Sequence, residues 1–445
     1  MKNSILDFLH FSNPTKGQEK ALIGIEQFLN VDNKEDFLIL RGAAGTGKTS
    51  ITSAVIEYLN DLNRPFKIAA PTGRAARIIG KKTNSVSSTI HSMIYIPEAN
   101  SKTGVVSFKL KTKLDEKPTL YIIDEASMIA SKNSNSELFK SDNDLLSSLI
   151  KYVKTANTKN KIIFLGDDYQ LTPIGEKCSN ALNKDFLIEQ CKLSGSLFSL
   201  KEVKRQEDGS YILENATNIR MAIDAGDKKH DILGSKSKNI HYAAYNYVNN
   251  YKKNGPENAI ALGVSHKANK YFNDLVRTKM FGGNKNILEP GDLLMVAKNW
   301  TRDGVFCSNG DQIQLIEVDW NSIETVCDLN FVAIKFKPLF SDEIFEDLLL
   351  LESITELGGQ IDYKLEGELL KRRYIKNLIF QESKKPSDDK YVGAIRLMYG
   401  HAITCHKAQG GEWNKVFINT LGIPDLRWQY TAVTRGIKKI ESFGL

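Results

Sequence analysis

Short apolar runs alternating with amphipathic stretches organise the first half of the chain. Residues 37–40, 67–70, 120–123 and 162–165 read as strands, and each is followed by a loop rich in Gly, Pro, Thr or Asp. Helical patterns such as Ser53-Ala54-Val55-Ile56-Glu57-Tyr58-Leu59 lie between them. Repeated strand–loop–helix order predicts a parallel sheet with helices on both faces, whose reactive loops collect at the carboxyl ends of the strands. One stretch departs from this order: 92–97 and 105–111 flank a turn-prone 98–104 and predict an inserted β-hairpin. Its second strand, Val105-Val106-Ser107-Phe108-Lys109-Leu110-Lys111, ends in lysines alternating with apolar residues, the pattern of a solvated, aggregation-resistant edge. In the second half, 258–262 and 416–419 read as strands and 267–279 as an amphipathic helix. Between them, 291–296 and 312–320 alternate as antiparallel strands, Asn309-Gly310 supplies a turn, and 345–378 reads as one or two charged helices. The expected arrangement is an α/β domain interrupted over roughly 295–390 and closed by the C-terminal segment.

Composition narrows the class. With 445 residues the chain exceeds what a single core fills, and 41% hydrophobic with 25% charged residues is ordinary for a globular protein. No apolar stretch approaches a membrane span, and Met1-Lys2-Asn3-Ser4-Ile5-Leu6-Asp7 lacks the apolar core of a secretory signal. Cys178, Cys191, Cys307, Cys327 and Cys405 are odd in number and form no C-x-x-C pair, so reduced thiols and a cytoplasmic location are expected. The net charge of +7 is uneven: residues 341–370 hold nine acidic side chains against one lysine, which leaves +15 on the remainder. A basic body of that kind suits a polyanion such as nucleic acid, although the charge alone is a weak signal.

The chemistry is concentrated in three loops. Gly42-Ala43-Ala44-Gly45-Thr46-Gly47-Lys48-Thr49 stands between a strand and a helix, the context of a phosphate-binding loop. Its glycines let backbone N–H groups face a polyphosphate, and the helix N-terminus adds partial positive charge. Lys48 is placed to reach the β- and γ-phosphates and Thr49 to ligate Mg²⁺. The third strand ends in Asp124-Glu125, where Asp124 can hold Mg²⁺ through water and Glu125 can orient and deprotonate an attacking water. The fourth ends Gly166-Asp167-Asp168-Tyr169-Gln170-Leu171-Thr172-Pro173, and Gln170 can touch the γ-phosphate and sense hydrolysis.

In that order, these motifs resemble superfamily 1 helicases. Ala70-Pro71-Thr72-Gly73-Arg74-Ala75-Ala76, Ser88-Thr89-Ile90-His91-Ser92, Thr404-Cys405-His406-Lys407-Ala408-Gln409-Gly410 and Tyr430-Thr431-Ala432-Val433-Thr434-Arg435 narrow the resemblance to the RecD-like, 5′-to-3′ branch. It runs from Gln18 to Arg435, and the region around 295–390 matches least. The resemblance implies an α/β fold with two RecA-like domains: 1–91 with 118–195, and 196–294 with 391–445. It also implies a wedge hairpin at 92–117 and an SH3-like β-barrel with helical elaboration at 295–390. ATP would sit on Gly42, Ala43, Ala44, Gly45, Thr46, Gly47, Lys48, Thr49 and Ser50, with Gln18 reading the adenine edge and Glu412 on the ribose. Arg205 and Arg435 would be arginine fingers that stabilise charge developing on the γ-phosphate. Pro71, Thr72, Thr89 and His91, with Ser265, His266, Thr404, His406 and Lys407, would line single-stranded DNA through hydroxyls, backbone N–H groups and a lysine. Where the family often has Asn after Ser or Thr, this chain has His266 after Ser265, and without the motifs His91 and His406 read equally as packing histidines. An aromatic among lysines, Phe108, is the candidate strand-separating contact.

The expected activity is an ATP- and Mg²⁺-dependent DNA helicase that moves along single-stranded DNA and opens tailed duplex DNA. Alternatives of other classes are a DNA-stimulated ATPase that remodels protein–DNA or recombination intermediates with little unwinding, an RNA helicase of the same superfamily, and an unrelated switch ATPase. A monomer without membrane association is expected. The acidic helical part of the insertion would hold the wedge or contact a replication or recombination protein.

Overall fold

The computed structural model describes residues 4–11, 13–100, 105–112, 114–132, 139–140, 144–202, 211–302 and 304–444. The chain divides into two compact units, Met1–Ile96 with Lys109–Asn135 and Ser141–Gly209, and Pro97–Phe108 with Ser136–Lys140 and Ser210–Leu445.

Helix α1 (Lys16–Phe28) opens with a capping box, in which Thr15 Oγ1 accepts from Gln18 N at 3.2 Å and Gln18 Oε1 accepts from Thr15 N at 2.9 Å. Strand β1 (Phe37–Gly42), α2 (Lys48–Asp61), β2 (Phe66–Ala70), α3 (Gly73–Lys82), β3 (Ser87–Thr89) and the short α4 (Ile90–Ile94) follow. A small sheet comes next, β4 (Tyr95–Asn100) and β5 (Val105–Leu110), joined after β6 (Leu120–Ile123) by β7 (Phe139–Lys140). Helix α5 (Leu145–Ala156), β8 (Lys161–Gly166), α6 (Lys184–Glu189) and β9 (Gly195–Leu200) complete the first unit, whereas β7 and most of β4 and β5 belong to the second. Six strands pair in parallel in the order β3-β2-β6-β8-β1-β9. Phe37, Leu38, Ile39 and Leu40 are all fully buried, as a strand covered on both faces requires. Each such side chain contributes about 1.5–3 kcal/mol. Because β8 lies between β6 and β1, the loops leaving these three strands emerge side by side at one edge.

The second unit carries α7 (Tyr211–Ala225), β10 (Ser235–Lys236), α8 (Ile240–Asn254), β11 (Ala259–Gly263) and α9 (His266–Phe281). The chain then leaves for a second sheet: β12 (Leu293–Val296), the hairpin β13 (Trp300–Arg302) and β14 (Val305–Cys307), β15 (Gln312–Val326), β16 (Leu329–Pro338) and β17 (Phe345–Leu350). Helices α10 (Glu352–Thr355), α11 (Tyr363–Lys376) and α12 (Leu378–Ser383) precede β18 (Leu397–Tyr399). The C-terminal segment supplies β19 (Ala402–Thr404), α13 (Cys405–Ala408), β20 (Trp413–Asn419), α14 (Leu426–Val433) and β21 (Gly436–Phe443). The main sheet of this unit is parallel throughout, in the order β10-β21-β20-β11-β19. The inserted sheet is antiparallel, β17-β16-β15-β12-β18. Its edges meet: Leu350 N donates to Ile395 O at 3.1 Å and Ile395 N donates to Leu348 O at 2.9 Å, which closes a barrel around Leu294, Trp300, Ile313 and Phe336.

Several boundaries differ from the sequence expectation. Residues 92–94 are helical rather than strand, because Thr89 Oγ1 accepts from Ser92 N at 3.0 Å and starts α4. Residues 345–350 form a strand, not the start of a charged helix, and the acidic Asp347 turns inward to accept from Trp300 Nε1 and, at 3.0 Å, from Arg302 Nε. The inserted sheet reaches beyond 295–390 at both ends, to Leu293 and Tyr399. The first sheet likewise runs past residue 195, since β9 pairs along β1 as far as Leu200. Among the described residues no helix is long and apolar enough to cross a membrane.

Candidate nucleotide site

The loop between β1 and α2 is built to hold an anion. Gly45 and Gly47 take positive φ of 82° and 88°, a conformation that costs glycine nothing. Gly47 is the N-cap of α2 and supplies no side-chain cap, so the helix's first N–H groups are left for a ligand. Gly42 admits no side chain: a Cβ there would stand 2.4 Å from Thr46 Oγ1. That hydroxyl is buried and donates to Ala43 O at 2.8 Å, which shapes the loop from inside. Lys48 Nζ donates to Gly42 O and, at 3.2 Å, to Ala43 O, so its ammonium lies folded onto the end of β1. Thr49, in the first turn of α2, is half-buried and Ser50 exposed.

Gln18 is engaged within the protein itself. Only 2% of it is exposed; its Oε1 caps α1, and its Nε2 donates to Thr46 O at 3.0 Å. Here the amide ties α1 to the phosphate loop, a duty beyond the adenine contact expected of it.

Asp124 and Glu125 leave β6 half-buried, Asp124 N donating to Ala69 O of the neighbouring β2 at 2.9 Å. Glu125 adopts a left-handed backbone, φ 49° and ψ 38°, a strained conformation for a residue with a side chain. At the end of β8, Asp167 is fully buried and its Oδ1 accepts from Tyr169 N at 3.1 Å, which turns the chain toward Gln170. Gln170 is 4% exposed, and its Oε1 has no hydrogen-bond partner among the described residues. A buried acceptor left unpaired is costly, so this amide is set for a donor such as a water at the γ-phosphate. The structure thus brings Lys48, Thr49, Asp124, Glu125 and Gln170 to one sheet edge. Asp167 was missed in the sequence, where only its place in the Gly166-Asp167 pair hinted at a role.

Thr49 and Asp124 offer hard oxygen donors suited to Mg²⁺. Among the described residues no cluster of three His, Cys, Asp or Glu could hold a metal by itself. The donor set therefore fits an ion that takes part of its shell from nucleotide phosphates.

In the second unit Arg435 is 4% exposed and held within its own neighbourhood: Nε donates to Thr431 O at 3.1 Å, Nη1 to Gly411 O at 3.3 Å and Nη2 to Thr434 Oγ1 at 3.3 Å. All three acceptors are neutral, so the guanidinium keeps its capacity to compensate an anion. Glu412 is half-buried beside Gly411. Arg205 lies outside the described residues.

Four of the expected nucleic-acid contacts share one structural position, the start of a helix. Thr72 follows β2 and caps α3, accepting from Ala75 N at 3.2 Å; Thr89 ends β3 and caps α4. Ser265 follows β11 and caps α9, accepting from Ala268 N at 3.2 Å, and Thr404 ends β19 ahead of α13. Helix N-termini at the carboxyl edge of a parallel sheet present N–H groups to phosphates. Pro71 is half-buried, and His91 is exposed with its ring 5.8 Å from that of Tyr95. The ring of His266 is packed by the insertion, since a Cβ on Gly358 would stand 3.0 Å from it; burial, then Lys407, lowers its pKa. Burial likewise lowers the pKa of His406 and Lys407, and Lys407 Nζ rests 3.4 Å from Met398 Sδ. Phe108, on β5, is half-buried, and the hairpin tip at 101–104 falls outside the described residues.

The chain is similar to known proteins. Residues 16–239 match the family described as AAA domain, and residues 399–440 the UvrD-like helicase C-terminal domain. The chain is 27% identical to the ATP-dependent DNA helicase dda of Enterobacteria phage T4, over 96% of this chain and 98% of that one. It is 24% identical to the ATP-dependent RecD2 DNA helicase of Deinococcus radiodurans, over 92% of this chain and 47% of that one. Among solved structures it is similar to the Pif1 helicase from Candida albicans, with a TM-score of 0.51 at 16% identity, covering 97% of this chain and 94% of that one.

Proposed function

The chain belongs to the RecD/Pif1/Dda-like group of superfamily 1 helicases and is an ATP-hydrolysing DNA helicase, and on that premise we propose that it moves 5′ to 3′ along single-stranded DNA and opens tailed duplexes. One observation carries the reading: three adjacent strands, β1, β8 and β6, deliver a phosphate loop, a buried amide whose Oε1 has no partner among the described residues, and a carboxylate pair to a single edge. The loop N–H groups and Lys48 would bind the triphosphate. Glu125 would take a proton from the attacking water, with Gln170 orienting that water through its unpaired Oε1. Mg²⁺, held by Thr49 and Asp124, would neutralise charge on the phosphates. Arg205 and Arg435 are the guanidiniums proposed to stabilise the γ-phosphate as charge develops on it.

Pro71, Thr72, Thr89, His91, Ser265, His266, Thr404, His406 and Lys407 are the proposed DNA contacts, with Phe108 the proposed wedge. The setting proposed is a cytoplasmic monomer whose cysteines are all free, with a replication or recombination protein as the partner of the acidic insertion. ATPase rates with and without single-stranded DNA or RNA, followed by unwinding of 5′- and 3′-tailed duplexes, test the whole reading. DNA-stimulated hydrolysis and opening of the 5′-tailed duplex alone are expected. Equal stimulation by RNA, or opening of the 3′-tailed duplex, would overturn it. Deleting residues 98–106 should abolish unwinding and spare stimulated hydrolysis; retained unwinding would remove the wedge role from the hairpin.

A further inference from the structure

Glu176 is 9% exposed and sits on the loop that leaves Gln170, yet its carboxylate serves another segment. Its Oε1 accepts from Ser131 N at 2.8 Å and from Lys132 N at 3.2 Å, and its Oε2 accepts from Ser131 Oγ at 2.6 Å. Ser131 and Lys132 belong to the chain that leaves Asp124-Glu125 through a short 3-10 turn, Ala126–Met128. Glu176 is itself fixed at its backbone: its N–H donates to Pro173 O at 3.0 Å and its carbonyl accepts from Thr172 Oγ1 at 2.7 Å. Neighbouring ties run the same way, from Asn180 Nδ2 to Ser131 Oγ at 2.7 Å and from Ser179 Oγ to Ala126 O at 3.3 Å. The two loops are therefore cross-linked just beyond the residues expected to do the chemistry.

The cross-link has a physical task. Glu125 holds a left-handed backbone that a glutamate leaves unless its surroundings over-determine it. The chain upstream of Glu125 is set by β6, and the chain downstream must be held as well. Three hydrogen bonds to one buried carboxylate provide that hold, and they anchor it to the loop bearing Gln170 rather than to the body of the sheet. We propose that Glu176 is a positioning residue for ATP hydrolysis, keeping Glu125 in its strained conformation and in register with Gln170. It touches neither nucleotide nor metal in this role, and it rests on the roles given above to Glu125 and Gln170.

The requirement is for reach more than charge. Glutamine can keep both backbone N–H bonds on its carbonyl oxygen and donate its amide to Ser131 Oγ, whereas aspartate is one methylene short and alanine has no acceptor. Steady-state hydrolysis with saturating oligo-dT is therefore expected to fall roughly tenfold or more in kcat for Glu176→Ala and Glu176→Asp, part of the factor a well-placed general base supplies. KM for ATP should stay within about twofold, because the phosphate loop is untouched, and Glu176→Gln should stay near wild type. On a Glu125→Gln background, Glu176→Asp should cause no further loss in kcat, as expected of residues acting as a unit. Wild-type kcat for Glu176→Asp would overturn the proposal, as would equal losses for all three variants accompanied by a matching fall in Tm. Full activity of Glu125→Gln alone would instead remove the premise about Glu125, and the proposal with it.

Discussion

His401 lies fully buried between the rings of Tyr247 and Tyr251, at 5.7 and 5.5 Å, and both its ring nitrogens lack partners among the described residues. Burial, helped by the nearby Arg277, pushes its pKa down to about 3. The unfolded chain takes up this proton near 6.5 whereas the folded one does not until far lower pH. The stability tied to the neutral ring is therefore complete above about pH 6.5 and lost as pH falls, by about 1.4 kcal/mol for each unit below it. His266 and His406 are shifted in the same direction and leave a residual slope. His401→Phe keeps the ring and removes both the titration and two unsatisfied nitrogens, so it should be neutral to stabilising at pH 7. Its Tm should also fall less than that of the wild type between pH 7 and pH 5. Thermal melts across that range check this, and parallel curves for the two proteins would contradict it.

Helix α9 is joined to the inserted barrel by a buried ion pair. Arg277 Nε donates to Asp292 Oδ1 at 2.7 Å and Nη2 to Asp292 Oδ2 at 2.9 Å, with both side chains nearly inaccessible. The guanidinium also lies 4.5 Å from the centre of the Tyr399 ring and donates to its hydroxyl at 3.1 Å. Desolvation raises the Asp292 pKa despite its partner, and exchanging a buried pair of this kind for apolar side chains of similar volume is often neutral or stabilising. Arg277→Ala strands the carboxylate and should cost about 3–5 kcal/mol in urea unfolding, whereas Arg277→Met with Asp292→Leu should recover most of the loss. A single variant as stable as the double would mean the pair is not acting as a unit. Elements of this kind were hard to read in the sequence, because Arg277 and Asp292 look like ordinary exposed charges until the sheet brings them together. The parallel strands were legible because burial on both faces demands unbroken apolar runs such as Phe37-Leu38-Ile39-Leu40. Strand β17 was not, since the inward Asp347 broke its alternation and its meaning depends on Trp300 and Arg302, over forty positions away. The phosphate loop and the carboxylate pair could be read because their chemistry is local in sequence. The second duty of Gln18 and the cross-link from Glu176 were not, since each reaches a segment far along the chain.

At the scale of the whole molecule, charge and contact chemistry point to different grips on DNA. Outside residues 341–370 the chain carries +15, which would suit a lysine-rich grip and a steep dependence on salt. The positions expected on the strand are of another kind: Thr72, Thr89, Ser265 and Thr404 sit at helix starts, and His266 and His406 are held toward neutrality by burial. Only Lys407 among these positions is a lysine or arginine, and burial lowers its pKa from the ordinary lysine value. Neutral N–H and hydroxyl contacts displace few counterions, while each phosphate neutralised on a single strand contributes about −0.7 to the slope of log affinity against log salt. Oligo-dT binding followed by fluorescence anisotropy across a KCl series should therefore give a shallow slope, and Lys407→Ala should reduce its magnitude by about 0.7. The variant should accordingly lose most affinity at low salt and converge on the wild type as salt rises. A steep slope that Lys407→Ala leaves intact would transfer the grip from the helix starts to the lysines of the basic body.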